Sequence, residues 1–170
     1  DPSLLRVRPP SIRFLQQDTG LWRLTTFDPQ GRNTLHANLG MMHGFQDVRG
    51  YDSIFSDQYV DTMNVIEPQH GLPFNRISPF TQFSSLDSPM TDLLNVKYVM
   101  TEEDIPLPKY RQVYEDDSVR IYENLGVMPR AFTLPETAIL QVPDRSSVAS
   151  AILNYDPRFH VIIEEGEQGW

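Results

Sequence analysis

Apolar positions three and four residues apart predict four helices along the chain. Each predicted helix begins beside a residue that favours helix starts, such as Pro, Asn, Ser or Asp, and most end near Gly or Pro. The predicted helices span residues 11–18, 38–44, 53–66 and 144–153, and one helical turn is predicted at 90–94.

Alternating apolar and polar residues, rich in aromatic and β-branched side chains, predict the strands. Two such runs, 110–114 and 119–122, flank the turn-forming Glu-Asp-Asp-Ser and predict a hairpin. Further strands are predicted at 21–27, 96–100, 130–134, 137–141 and 160–164. Because helices lie before, among and after the strands, we expect an α/β or α+β fold, a single domain over residues 1–170 with a mixed β-sheet flanked by helices.

A Pro-containing segment, residues 67–89, interrupts this pattern. It carries four Pro residues and scattered Ser with little periodicity, which predicts an ordered surface loop. The segment is longer than the connections that compact domains usually contain. It therefore either folds over a site or contains a short helix.

Charge and composition narrow the classes of function. The 23 acidic residues outnumber the 14 basic ones, and the net charge of −9 argues against nucleic acid and anionic lipid as partners. No Cys is present, which excludes disulfides, thiolate metal sites and a Cys nucleophile. Apolar runs are far shorter than the roughly 20 residues that cross a bilayer, so we expect the chain to be soluble.

One short run, Arg49-Gly-Tyr-Asp52, combines chemistry that suits a sugar ring. Tyr51 offers an aromatic face for C–H groups, while Arg49 and Asp52 offer a guanidinium and a carboxylate to hydroxyls. These three residues are the predicted contacts to a carbohydrate or to another domain. The alternative is structural: Asp52 or Ser53 caps the following helix, and Arg49 pairs locally.

Other polar groups favour structural interpretations. His36 and His43 match no metal-ligand spacing, and adjacent Asp116 and Asp117 in a hairpin turn are typical of turns. The sequence contains no G-x-S-x-G, P-loop, G-x-G-x-x-G or H-E-x-x-H motif. We therefore predict no catalytic residue, metal site or cofactor, and a self-sufficient hydrolase is the least favoured function.

Five short motifs occur in an order that resembles one known family. They are Asn-Leu-Gly-Met at 38–41, Gly-Tyr-Asp at 50–52, Leu-Asn-Val-Lys-Tyr-Val at 94–99, Tyr-Glu-Asn at 122–124 and Pro-Arg-Ala at 129–131. In this order the chain resembles the C-terminal extracytoplasmic region of YfhO-type bacterial membrane proteins. The resemblance covers most of residues 20–135.

Members of that family look like polytopic GT-C glycosyltransferases that use lipid-linked sugars. The resemblance implies that this chain is a soluble extracytoplasmic piece of a larger membrane protein, without the catalytic centre. Its expected partners are the membrane-embedded remainder of the parent and a cell-surface glycan or lipid-linked sugar. The alternative is a structural module that docks on the membrane part and has no ligand of its own.

Overall fold

A mixed five-stranded β-sheet forms the centre of the protein. The computed structural model describes residues 8–50, 52, 54–70, 76–153 and 155–165. The strands of the central sheet are β1 (Arg23–Phe27), β2 (Gln46–Asp47), β3 (Val96–Thr101), β4 (Tyr110–Glu115) and β5 (Arg120–Asn124). Across the sheet their order is β2-β1-β3-β5-β4. β1 runs parallel to both β2 and β3, whereas β5 is antiparallel to β3 and β4.

Six short α-helices accompany the strands within the described residues. They are α1 (Pro10–Leu15), α2 (Leu39–Met42), α3 (Asp57–Ile66), α4 (Phe83–Asp87), α5 (Pro89–Leu93) and α6 (Arg145–Ile152). Three of these helices begin at a side-chain cap. Ser56, Ser88 and Asp144 accept hydrogen bonds from backbone N–H groups in the first turns of α3, α5 and α6. α3 therefore begins later than predicted, at the Ser56 cap rather than at Asp52 or Ser53.

Two apolar layers cover the two faces of the sheet. On one face, Phe27 and Val99 pack with Met63 of α3 and Leu86 of α4. On the other, apolar residues of β1, β3 and β5 pack with α1 and the residues around it; they are Ile12, Leu15, Trp22, Leu24, Leu35, Phe45, Tyr98, Met100 and Ile121. The predicted mixed sheet flanked by helices is confirmed, in the α+β form.

A second, two-stranded sheet follows the central one in the chain. β6 (Ile139–Val142) and β7 (Val161–Glu164) are parallel, and the segment between them contains α6. A short 3-10 helix, Glu136–Ala138, leads into β6. α6 contacts α3, and the Arg145 guanidinium lies 2.6 Å from an Asp61 carboxylate oxygen.

The hairpin predicted from the sequence is confirmed as β4–β5. The prediction of a strand at 130–134 is wrong. Residues 130–134 run as irregular chain and pair with none of the described strands, and Phe132 and Leu134 line a surface cleft instead. β2 was not predicted, since two residues are too few to show alternation. The long segment 67–89 contains a short helix, α4, and its residues Arg76, Ile77 and Pro79 line a cleft.

Candidate functional site

A cleft of about 340 Å³ lies at the carboxyl ends of β1 and β2. Ligands of parallel sheets characteristically bind outside the carboxyl ends of the strands, where the connecting loops diverge. Three separate segments line this cleft: the loop after β1, Arg49 just after β2, and the segment that precedes α4. The described lining residues are Asn33, His36, Ala37, Arg49, Arg76, Ile77 and Pro79.

The loop after β1 is shaped by a buried carboxylate. Asp28 follows the last residue of β1 and accepts the backbone N–H groups of Arg32 and Asn33, each at 2.8 Å. Asn33 adopts a left-handed conformation with φ of 57°, which Asn tolerates better than most residues. The chain thereby turns sharply and places Asn33 and His36 at the cleft.

Arg49 connects the end of β2 to that loop. Its Nε and Nη2 atoms donate to the two carboxylate oxygens of Asp47 at 3.1 and 2.6 Å, and Nη1 donates to the Leu35 carbonyl at 2.9 Å. Both side chains of the ion pair are only 3% exposed. These bonds use three of the five N–H groups of the guanidinium; within the described residues no partner is seen for the other two.

A neighbouring tyrosine braces the same end of β2. The Tyr59 hydroxyl of α3 donates a hydrogen bond to the Val48 carbonyl. Burial raises the pKa of Tyr59 to about 12, against a lowering effect of the nearby Arg23 charge. The phenol is therefore a neutral hydrogen-bond donor at physiological pH.

The third wall of the cleft lies beside β1, beyond the end of β2. The Phe80 N–H donates to the Thr26 carbonyl at 3.1 Å, and the Asp28 N–H donates to the Phe80 carbonyl at 2.7 Å. Ile77 donates its N–H to the Gly50 carbonyl at 3.0 Å. This segment takes the place that a longer β2 would occupy at the sheet.

Two buried polar side chains hold that wall in place. The Glu67 carboxylate accepts the Thr81 N–H at 3.0 Å, the Thr81 hydroxyl, and the Ser85 hydroxyl at 2.6 Å. The Gln69 side chain accepts the Ser78 N–H at 2.9 Å. Residues 67–70 and 76–85 are therefore held in place by polar contacts, in agreement with the predicted ordered loop.

Arg76 is the cationic group of this wall. It is partly buried, and its Nε atom is enclosed without a hydrogen-bond partner. No ion pair joins Arg76 to the part of the chain that the structure describes. The cleft therefore contains one guanidinium neutralised by Asp47 and another without a described counter-charge.

The structure separates the three site residues predicted from the sequence. Arg49 lines the cleft, is 6% exposed, and pairs locally with Asp47, as its structural interpretation required. Asp52 is exposed and is not among the described lining residues. Tyr51 lies outside the described residues.

The two histidines are not brought together. His36 lines the cleft described above, whereas His43 lines a different one with Trp22 and Phe45. Among the described residues, no group of three or more His, Cys, Asp or Glu side chains is arranged to hold a metal. Asp116 accepts the backbone N–H groups of Ser118 and Val119, which confirms that the paired acids form a turn.

Sequence reasoning missed Asn33 and Arg76. Each is a single polar residue in a stretch without periodicity, and the ranges that contain them, 28–37 and 67–89, carry only turn and loop signals. The one local signal was the loss of periodicity over residues 67–89. A long Pro-containing segment of this kind often covers a site.

A second, mostly apolar cleft of about 410 Å³ lies beside the two-stranded sheet. Its lining residues are Leu93, Phe132, Leu134, Pro135, Glu136, Ile139, Tyr155, His160, Val161 and Ile163. Phe132 and Ile163 are 42% and 44% exposed, so the apolar surface there is open to contact.

Comparison of the chain with family models, curated proteins and solved structures finds no match. Within the described residues, none of the helices has the length and apolar character needed to cross a bilayer.

Proposed function

We propose that this chain is an accessory extracytoplasmic domain of a membrane glycosyltransferase-like protein and contacts a cell-surface glycan or a lipid-linked sugar. The observation that carries the proposal is the cleft at the carboxyl ends of β1 and β2. The order of the motifs that resemble YfhO-type proteins supports the cellular setting.

The lining of the cleft supports a carbohydrate as ligand. Sugars present hydroxyls and apolar C–H faces, and binding clefts meet them with a few fixed polar groups among apolar side chains. Arg49, His36 and Asn33 supply polar groups, while Ile77 and Pro79 supply apolar surface. In this proposal the transfer reaction belongs to the membrane-embedded part of the parent protein, and the domain only binds.

Titration of the 170-residue chain with cell-wall glycans and lipid-sugar headgroups, followed by amide shifts, tests this proposal. We expect shifts at His36, Arg49 and Ile77, because these residues line the cleft. His36→Ala should weaken binding, whereas His43→Ala, in the other cleft, is the matched control. Unchanged signals at the cleft with every glycan would remove the carbohydrate function.

A second function is favoured by the apolar cleft beside β6 and β7. Exposed apolar surface at Phe132 and Ile163 is typical of protein contacts, which fits a structural module that docks on the membrane part of the parent. Ile163→Asp should then weaken association with the solubilised membrane part. Leu153→Asp, equally apolar and 75% exposed but outside the cleft lining, is the control.

Association that is unaffected by Ile163→Asp would exclude this surface as the docking site. Association of the chain with the membrane part, without any glycan binding, would favour the docking function over the carbohydrate function.

A further inference from the structure

Arg76 lies in the cleft with an enclosed donor that has no acceptor. Its Nε atom is buried and unpaired, although buried polar atoms in folded proteins nearly always have a partner. Arg76 as a whole is only partly buried, and no hydrogen bond joins its guanidinium to the described residues, so its remaining N–H groups are left to donate to an acceptor that enters the cleft.

Several other arginines of this chain are paired with a carboxylate, although Arg23 and Arg130 donate to amide oxygens instead. Five arginines donate to carboxylate oxygens at 2.6 to 2.9 Å; they are Arg32, Arg111, Arg120, Arg145 and Arg158. With 23 acidic residues in the chain, a carboxylate partner is readily available. Arg76 has no such partner in the part of the chain that the structure describes.

The charge of the cleft is positive within an acidic protein. None of its described lining residues is Asp or Glu. Asp47 neutralises Arg49, so among the described lining residues the guanidinium without a counter-charge is that of Arg76. The N–H groups of Arg49 for which the described residues offer no acceptor add donor capacity beside that charge.

We infer that this cleft is an oxyanion-binding site in which the Arg76 guanidinium binds a phosphate or carboxylate group. A guanidinium fork matches the two oxygens of either group. Resting on the function proposed above, the oxyanion is a substituent of the bound glycan, and the sugar body lies against Ile77 and Pro79. The oxyanion site itself requires only the cleft and Arg76.

The experiment compares four probes on the wild-type chain: glucose, glucose 1-phosphate, glucuronate and inorganic phosphate. We expect a charged probe to shift the amides of His36 and Ile77 and to bind at least about tenfold more tightly than glucose. The phosphate and carboxylate probes show which oxyanion the site prefers. Because this comparison uses the wild-type chain, it does not depend on whether a variant folds.

Arg76→Gln should remove most of the difference between charged and neutral probes, whereas Arg111→Gln, an exposed arginine of β4, should keep it. Shifts with inorganic phosphate but with no sugar would support the oxyanion site and contradict the glycan function. Equal affinity for glucose and the charged probes, no binding of any probe, or anion affinity unchanged in folded Arg76→Gln would overturn the oxyanion site.

Discussion

At the scale of single residues, the burial of an ion pair decides how much stability is lost when one partner is removed. Asp47 and Arg49 form a pair whose side chains are each 3% exposed, while Asp61 and Arg145 form one whose side chains are 56% and 44% exposed. Both pairs have a closest N–O distance of 2.6 Å. Water screens the second pair but not the first, so the two respond differently to loss of one partner.

Asp47→Asn should therefore lower the free energy of unfolding strongly. The change leaves Arg49 buried without its carboxylate, which typically costs about 3–5 kcal/mol. Asp61→Asn, the matched change in the exposed pair, should cost less than about 1 kcal/mol. Urea unfolding of both variants measures the difference, and equal losses would contradict the assigned role of burial.

A second residue-scale effect concerns pH and Asp18. Burial raises the pKa of Asp18. Hydrogen bonds from Lys97 at 2.5 Å, from the Gly20 N–H and from the Tyr98 hydroxyl lower the pKa, and together they outweigh the effect of burial. The net result is a pKa of about 2, below the usual 3.8. A carboxylate whose folded-state pKa is lowered stabilises the protein above its unfolded pKa.

We expect this contribution to be complete above about pH 4 and to vanish as the pH falls through about 2. Asp18→Asn should be less stable than wild type at pH 6, and the difference should shrink toward pH 2. Chemical unfolding from pH 2 to 6 measures it. A difference that stays constant over this range would show that the charge of Asp18 is not responsible.

At the scale of elements, Glu67 joins α3 to α4. It follows α3 directly, and its carboxylate accepts hydrogen bonds from Thr81 and Ser85. The junction buries a carboxylate whose hydrogen-bond partners are N–H and hydroxyl donors. Glu67 therefore supplies several of the hydrogen bonds that connect the wall of the cleft to the end of α3.

Glu67→Ala should lower the free energy of unfolding by about 1–3 kcal/mol, because it removes the described acceptor of the Thr81 N–H and hydroxyl. The Thr81 amide proton should also exchange faster with solvent. Glu136→Ala, at an exposed position, is the control and should change neither quantity. Unchanged exchange at Thr81 in Glu67→Ala would contradict the assigned junction.

Local sequence signals were sufficient to predict some helices and strands and insufficient to predict others. The β4–β5 hairpin and α6 followed from turn residues, alternation and the Asp144 cap, all of which act within a few residues. The strand predicted at 130–134 has suitable residues, but a strand also needs a neighbour to pair with, and none of the described strands pairs with this segment. β2 is a strand only because its two residues, Gln46 and Asp47, pair with the edge of β1.

At the scale of the whole molecule, the two sheets differ in burial. Five of the six residues of β3 are buried, whereas β7 and α6 have none. Local opening requires less free energy where little apolar surface is buried. The β6–α6–β7 unit is therefore the less stable part of the described structure.

Native-state hydrogen exchange should resolve this difference. Amides of β6 and β7 should open at a lower free energy than those of β3, which should approach the free energy of global unfolding. The hairpin strand β5 serves as an internal reference, since Ile121, Tyr122 and Asn124 are buried. Equal opening free energies in both sheets would show that they unfold as one cooperative unit.

The sequence by itself determined the class of fold, the hairpin, and the helices with clear caps, because periodicity and capping are local properties of the chain. It also singled out Arg49, although not its partner Asp47. Only the tertiary structure brought Asn33, Arg49 and Arg76 to one cleft. Their approach depends on the pairing of Phe80 with Thr26 and on the contacts of Glu67, which join residues far apart in sequence and leave no local pattern.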